Sequence, residues 1–323
     1  SHLPVLMDGE EMVLLAGAFM LLVSLCGVAG AQDSLQFQGQ ASAWVLYNPG
    51  NDLRIWSGAR YIPRLNYSVP LAGDRLIDFE ASADFSVTAG FNPFDTGHVS
   101  GRIKPYRIWV RYSTRQFELR AGLQKINFGS ASLLRPLMWF DKLDPRDPLQ
   151  LTDGVWGLLG RYYFLNNANL WLWGLIGNEE PKTWEAGNTK KWFPELGGRV
   201  QVPVPRGEAA LSYHYRMADI RGMDSSFAAW PEVGENRIGL DGKWDLGVGL
   251  WVEGSWIRKN RNTGTFTNQE ILNGGMDYTF GIGNGLNLIL EQLVMAYDEK
   301  PFRFSGHVVF TGLSLAYPLG ISD

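Results

Sequence analysis

The sequence predicts an all-β fold, an antiparallel transmembrane β-barrel with about fourteen visible strands. Three observations lead there. Apolar and polar residues alternate with period two along most of the chain, short and long connections alternate between those stretches, and aromatic residues gather near the stretch ends. Composition removes the competing classes. The 323 residues are 45% hydrophobic, 19% charged and 13% aromatic, with a mean hydropathy of −0.12. A bundle of membrane helices would score well above zero and show several apolar runs of roughly 20 residues. Only one run approaches that length. The aromatic content also excludes a disordered chain.

That one run lies at the N-terminus. Met12 to Val28 reads MVLLAGAFMLLVSLCGV and is followed by Ala29-Gly30-Ala31. An apolar stretch closed by an A-x-A site is a secretory signal peptide, cut after Ala31, so residues 1–31 are the leader and 32–323 the barrel. The segment before the run departs from the usual pattern, with Asp8, Glu10 and Glu11 and no Lys or Arg, which points to Met7 or Met12 as the start. The alternative is a single N-terminal membrane anchor, for which the run is short. Cys26 is not a lipid attachment site, because Leu25 before it is too large. Removing the leader removes the one cysteine, and with it disulfides, thiolate metal sites and covalently attached haem. The three leader acids go too, and the net charge moves from −4 to −1. That balance suggests neither nucleic acid nor an anionic membrane surface as a partner.

The clearest strand is 77–88. Ile77, Phe79, Ala81, Ala83, Phe85 and Val87 fall on one face, and Asp78, Glu80, Ser82, Asp84, Ser86 and Thr88 on the other. Strands of about ten residues are what a tilted crossing of a bilayer requires, longer than the five or six common in soluble sandwiches. The same parity recurs in 37–47, 61–69, 106–112, 117–123, 156–164, 209–216, 238–244 and 272–280, and more weakly in 169–177, 196–204, 248–256, 286–295 and 308–317. Pro63 and Pro203 each remove a ladder donor and are expected near strand ends or bulges. Short links at 70–74, 113–116, 165–168, 205–207, 245–247 and 281–285 alternate with long ones at 48–58, 92–105, 127–154, 178–195, 217–235 and 258–268. Outer-membrane barrels alternate short periplasmic turns with long external loops in this way. Trp44, Tyr47, Tyr61, Trp109, Tyr112, Tyr162, Tyr163, Trp244 and Trp256 sit near strand ends, where an interfacial girdle falls.

Leu119-Arg120-Ala121-Gly122-Leu123-Gln124, running through Gly129 to Trp139-Phe140-Asp141-Lys142-Leu143-Asp144-Pro145-Arg146-Asp147-Pro148, resembles the R-x-G-x-Q strand and the acidic, proline-bearing loop of bacterial outer-membrane porins and porin-like proteins. The general pattern extends the resemblance over nearly all of 32–323, without singling out one porin family. The resemblance implies a passive channel in the bacterial outer membrane, with no cofactor. It also implies that the third external loop, 127–154, folds into the lumen and narrows it. Asp141, Asp144, Asp147 and Asp153 would then face water or strand-borne cations, and Leu133, Leu134, Leu137, Met138 and Trp139 would pin the loop to the wall. The alternative is a solvated loop closing over the barrel mouth.

The polar strand faces should line the lumen. They present Arg60, Arg64, Arg107, Arg111 and Arg120, with Lys125 at the loop's edge, and between them Asp78, Glu80 and Asp84. Two readings stay open: cross-strand charge pairing that stabilises the wall, and a basic wall facing an acidic loop across a constriction. Further round come Arg161, Arg199, Arg216, Arg237 and Lys243, answered by Asp241, Glu253, Asp277 and Glu291. This mixture argues against a strongly selective ion pore. Trp171, Trp173 and Trp251 point inward by parity, as a stacking surface for flat solutes or as volume filling. Catalysis has little to work with: His98 and His307 lie in or near loops, and Ser212 and His214 share the lumen face rather than the lipid face. Calcium at Asp141, Asp144 and Asp147 competes with Lys142 and Arg146 and lacks the D-x-D-x-D-G order. The expected partners are therefore the outer-membrane bilayer and small polar solutes, with association of several copies compatible. The competing function is a closed or plugged barrel serving as an anchor or scaffold. Ile321-Ser322-Asp323 reads as the opening of a further strand, so that the intact barrel would hold about sixteen strands or more; the alternative is that fourteen close as they stand.

Overall fold

A computed structural model describes residues 21–27, 35–47, 53–92, 97–142, 151–221 and 230–318. None of the helices searched among the described residues is long and apolar enough to cross a membrane; the elements are strands. The chain forms two compact units, one of Ser1–Arg115, Leu119–Lys125 and Leu143–Val155, the other of Gln116–Glu118, Ile126–Lys142 and Trp156–Asp323.

The first unit holds β1 (Leu21–Gly27), β2 (Leu35–Tyr47), β3 (Ile55–Leu71), β4 (Arg75–Phe91), β5 (Gly97–Ser113) and, from Leu119 onward, β6 (Phe117–Gln124), paired in that order. The second holds β7 (Val155–Tyr163) from Trp156, then β8 (Asn169–Leu175), β9 (Asn188–Thr189), β10 (Glu195–Val204), β11 (Gly207–Asp219), β12 (Glu232–Asp245), β13 (Gly249–Lys259), β14 (Asn268–Phe280), β15 (Leu286–Asp298) and β16 (Val308–Ala316). These also pair in chain order, except that the two-residue β9 lies against Ala218 and Asp219 of β11. Neighbours are antiparallel, as hairpin connections require. Each expected strand has its counterpart, and β1 and β9 are additional. The backbone of β1, within the expected leader, pairs with β2 from Phe37 to Ala43. Strand β16 pairs with β15 alone among the described residues.

Burial is inverted relative to a water-soluble sheet. Along β4 the apolar Phe79, Ala81, Phe85 and Val87 are exposed while Asp78, Ser82 and Asp84 are buried. Along β11, Leu211 and Tyr213 are exposed and Ser212, His214 and Arg216 buried. An apolar outer face and a packed polar inner face suit a sheet with lipid outside.

Several strands outrun the expectation, β12 and β14 among them, which begin at Glu232 and Asn268 rather than at 238 and 272. β3 begins at Ile55 rather than Tyr61, and β5 at Gly97 rather than Tyr106. Their extra turns of ladder contain Ser57, Gly58, Ser100 and Gly101, which interrupt side-chain alternation without removing backbone donors. The Trp44 ring lies over Gly58, where a Cβ would come within 2.2 Å of it. Pro63 sits mid-strand, opposite Gly39. Its missing N–H coincides with a break in the ladder to β4, which passes from Tyr61↔Phe85 to Arg64↔Ser82. Beyond it, β4 meets a bulge: Ser82 pairs with Arg107 and Ala83 with Pro105, leaving Tyr106 as the extra residue. The insertion re-phases β5, so that Lys104 and Arg107, three residues apart, both belong to the polar face.

Candidate functional site

In the first unit the polar face is a lattice of cross-strand ion pairs. Arg60 of β3 lies 3.5 Å from Asp84 of β4, and Arg64 lies 3.5 Å from Glu80. Arg111 of β5 donates from Nε (3.0 Å) and Nη2 (2.7 Å) to Oδ2 of Asp78, whose other oxygen accepts from Ser68 Oγ at 2.8 Å. The guanidiniums of Arg111 and Arg120 lie 5.6 and 4.6 Å from the centre of the Trp109 ring. Arg107 stacks 4.1 Å over Tyr106 and donates to the Thr152 carbonyl at 2.9 Å. Lys104 pairs with Asp153. Lys125 is exposed just beyond β6. The R-x-G-x-Q strand owes its glycine to a close approach: Gly122 has φ +122°, and a Cβ there would lie 2.2 Å from the Ile108 carbonyl oxygen of β5.

In the second unit, residues 126–142 lie on the polar face of the sheet, held chiefly through their backbone. The Glu253 carboxylate of β13 accepts N–H bonds from Ser130 (2.8 Å), Ala131 (2.9 Å) and Leu137 (2.6 Å). Glu291 of β15 accepts from Ser132 (2.6 Å), Leu133 (3.1 Å) and Leu134 (2.5 Å). Ser130 Oγ donates to Asp241, which also takes both Nη atoms of Arg199 at 2.5 and 2.9 Å. Trp139 Nε1 donates to Ser255 Oγ at 2.9 Å. Gly239 of β12 leaves the room that the Leu137 and Trp139 side chains occupy. Phe128 stacks on Trp173 at 5.6 Å and meets Trp139 edge-on at 5.6 Å.

A second long connection, between β8 and β10, is seated on the first. Thr183 donates from N and Oγ1 to the Asp141 carbonyl, and Trp184 Nε1 donates to the Arg135 carbonyl at 2.8 Å. Glu185 reaches Arg237 at 2.6 Å and Arg216 at 3.2 Å. Arg216 also pairs with Glu235 at 2.7 Å, and Lys259 approaches Glu235 at 3.5 Å. Burial pushes the Glu185 carboxyl up, but the Arg216 and Arg237 guanidiniums outweigh it and hold its pKa below the usual carboxylate value.

No family model matches the chain, and no curated protein matches it. Among solved structures it is similar to Salmonella typhi OmpF in complex with daunomycin, with a TM-score of 0.54, 9% identity, and 88% of this chain and 87% of that one covered. The fold is porin-like.

Several residues stand differently in this porin-like fold from the sequence expectation. Glu253 and Glu291, expected to answer the wall arginines, instead take N–H groups of 130–134 and Leu137. Asp141 is 2% exposed and does not face water. Asp144 and Asp147 lie outside the described residues. Trp173 and Trp251 are buried, so neither offers a free stacking face, while Trp171 carries the Arg161 guanidinium 3.9 Å above its ring. Ser212 accepts from Arg199 at 3.0 Å, whereas His214 meets Glu195 and Trp173, each at 3.2 Å. Glu185 was missed. Its signal was indirect: Arg216 of β11 and Arg237 of β12 share the polar sheet face, where Glu235 opposite Arg216 is one carboxylate between two guanidiniums.

Proposed function

We propose that this chain is a bacterial outer-membrane, porin-like channel for passive diffusion of small polar solutes, exported by the leader 1–31. One observation carries the proposal. Ionised and hydrogen-bonding side chains are packed on one sheet face while large apolar side chains such as Phe79, Phe85, Leu240 and Val252 are exposed on the other, an arrangement stable with lipid outside and water inside. In this role Arg60, Arg64, Asp78, Glu80, Asp84, Arg107, Arg111, Arg120 and Lys125 belong to the pore wall, and 127–154, with Asp141, Asp144 and Asp147, is the constriction loop. The loop's seating on Glu253 and Glu291 supports an inward course over one closing above the mouth. The bilayer is the structural partner, and association of several copies within it is compatible with this role.

A second reading, a plugged barrel acting as scaffold, is favoured by one feature: Leu137, Trp139 and Phe140 are buried. Single-channel recording in a planar bilayer separates the two. Steady ohmic steps are expected for the channel, and their absence at saturating protein would establish the scaffold.

A further inference from the structure

The ion pairs that join the strands of the first unit are asymmetric in depth. In Arg64–Glu80 the arginine side chain is 42% exposed and the carboxylate 12%; in Arg111–Asp78 the figures are 29% and 9%; in Arg60–Asp84 they are 10% and 4%. Each carboxylate is less exposed than the guanidinium it pairs with, and at Arg64 and Arg111 the part of the strand-to-strand pair that reaches the open side is cationic. Geometry explains why. Asp and Glu on β4 are short and stay near the sheet, whereas Arg on β3 and β5 is long enough to rise over them. Arg102 is exposed and stands opposite Ser86, not opposite an acid. Arg120 and Arg111 share the Trp109 ring, which gathers both guanidiniums at one place on the wall. One pair runs the other way: in Lys104–Asp153 the lysine is 22% and the loop carboxylate 41% exposed. It is a loop-to-strand contact, and it leaves the strand-to-strand pattern intact.

We propose that the polar wall of β3–β6 is an oxyanion-favouring surface, so that the channel passes small carboxylates and phosphates ahead of cations of similar size. The planar guanidinium fork matches the two oxygens of a carboxylate or phosphate, and charges lining a narrow aqueous path set its ion preference. The formal count leans the same way, with Arg60, Arg64, Arg107, Arg111 and Arg120 against Asp78, Glu80 and Asp84, and the lower exposure of the carboxylates adds to it. The proposal rests on the channel reading above and specifies its solute class.

The test is the reversal potential of the full chain in a planar bilayer under a potassium chloride gradient, followed by replacement of chloride with acetate or phosphate on one side. Anion preference is expected, retained with at least one of the two oxyanions; which one is retained tells whether planar or tetrahedral oxygens are favoured. The double variant Arg64→Gln/Arg102→Gln, at two exposed positions, should shift the reversal potential toward potassium. Arg115→Gln, at the turn between β5 and β6, should leave it unchanged. Cation preference in the wild type, or an unshifted potential in a conducting double variant, overturns the oxyanion surface while leaving the channel standing. A chain without conductance overturns both.

Discussion

Glu291 on β15 holds Ser132 by its backbone: the Ser132 N–H donates to Oε1 at 2.6 Å, and the same carboxylate receives Leu133 and Leu134. One side chain thus turns three consecutive N–H groups toward the wall, which a hydrophobic contact could not specify. Hydrogen bonds to charged groups contribute about 1.5–3 kcal/mol. Glu291→Gln keeps an acceptor oxygen but loses the charge, and should cost about 2 kcal/mol. Proteolysis within 130–137 in the folded protein should rise, and an unchanged cleavage rate would assign the anchoring elsewhere.

Gly239 tests the same seat from the opposite side. A Cβ there would lie 2.4 Å from Leu137 and 3.0 Å from the Trp139 ring. Gly239→Ala should cost about 1–3 kcal/mol as overpacking, and should weaken the Trp139–Ser255 contact. The measurement is the unfolding midpoint in detergent together with tryptophan emission.

Acid should release the second loop. The folded pKa of Glu185 lies below its ordinary value of 4.5, so its ionised form stabilises the fold. That contribution is fully present above pH 4.5 and is lost as pH falls through the folded pKa. Glu185→Gln, which strips a buried carboxylate from Arg216 and Arg237, should cost about 3–5 kcal/mol at neutral pH. It should also flatten the acid limb of the stability profile. A variant with the wild-type acid limb would show that other groups set it.

Neighbouring residues on β4 should respond oppositely to charge. Phe85 is 42% exposed on the apolar face, and Phe85→Arg should cost about 2–4 kcal/mol if it lies near the bilayer midplane. Ser86→Gln, on the polar face, should cost little. Ser82 is a poor control for such a comparison, because it is buried beside Arg107 and its hydroxyl is engaged at 3.4 Å by the Arg107 carbonyl. Equal losses at 85 and 86, measured by refolding into vesicles, would remove the membrane from the argument.

Which face each β4 residue occupies, and which of its faces is apolar, was determined by the sequence alone. Parity is local: Phe79 and Asp78 must point apart in any extended strand. The antiparallel order followed for the same reason, since short turns such as 205–207 join only adjacent strands. Even Gly122 stood out, through the R-x-G-x-Q pattern, although its close approach to Ile108 did not. Only the tertiary structure decided what the polar faces meet. The bulge at Tyr106 sets the phase of Lys104 against Arg107, and it depends on register with β4 rather than on β5 itself. The partners of Glu253 and Glu291 lie in a loop whose course is fixed by contacts more than a hundred residues apart, and Glu185 itself lies in a loop that brings it to Arg216 and Arg237. No period reports those contacts, because backbone N–H groups are present at every non-proline residue and carry no mark in the sequence.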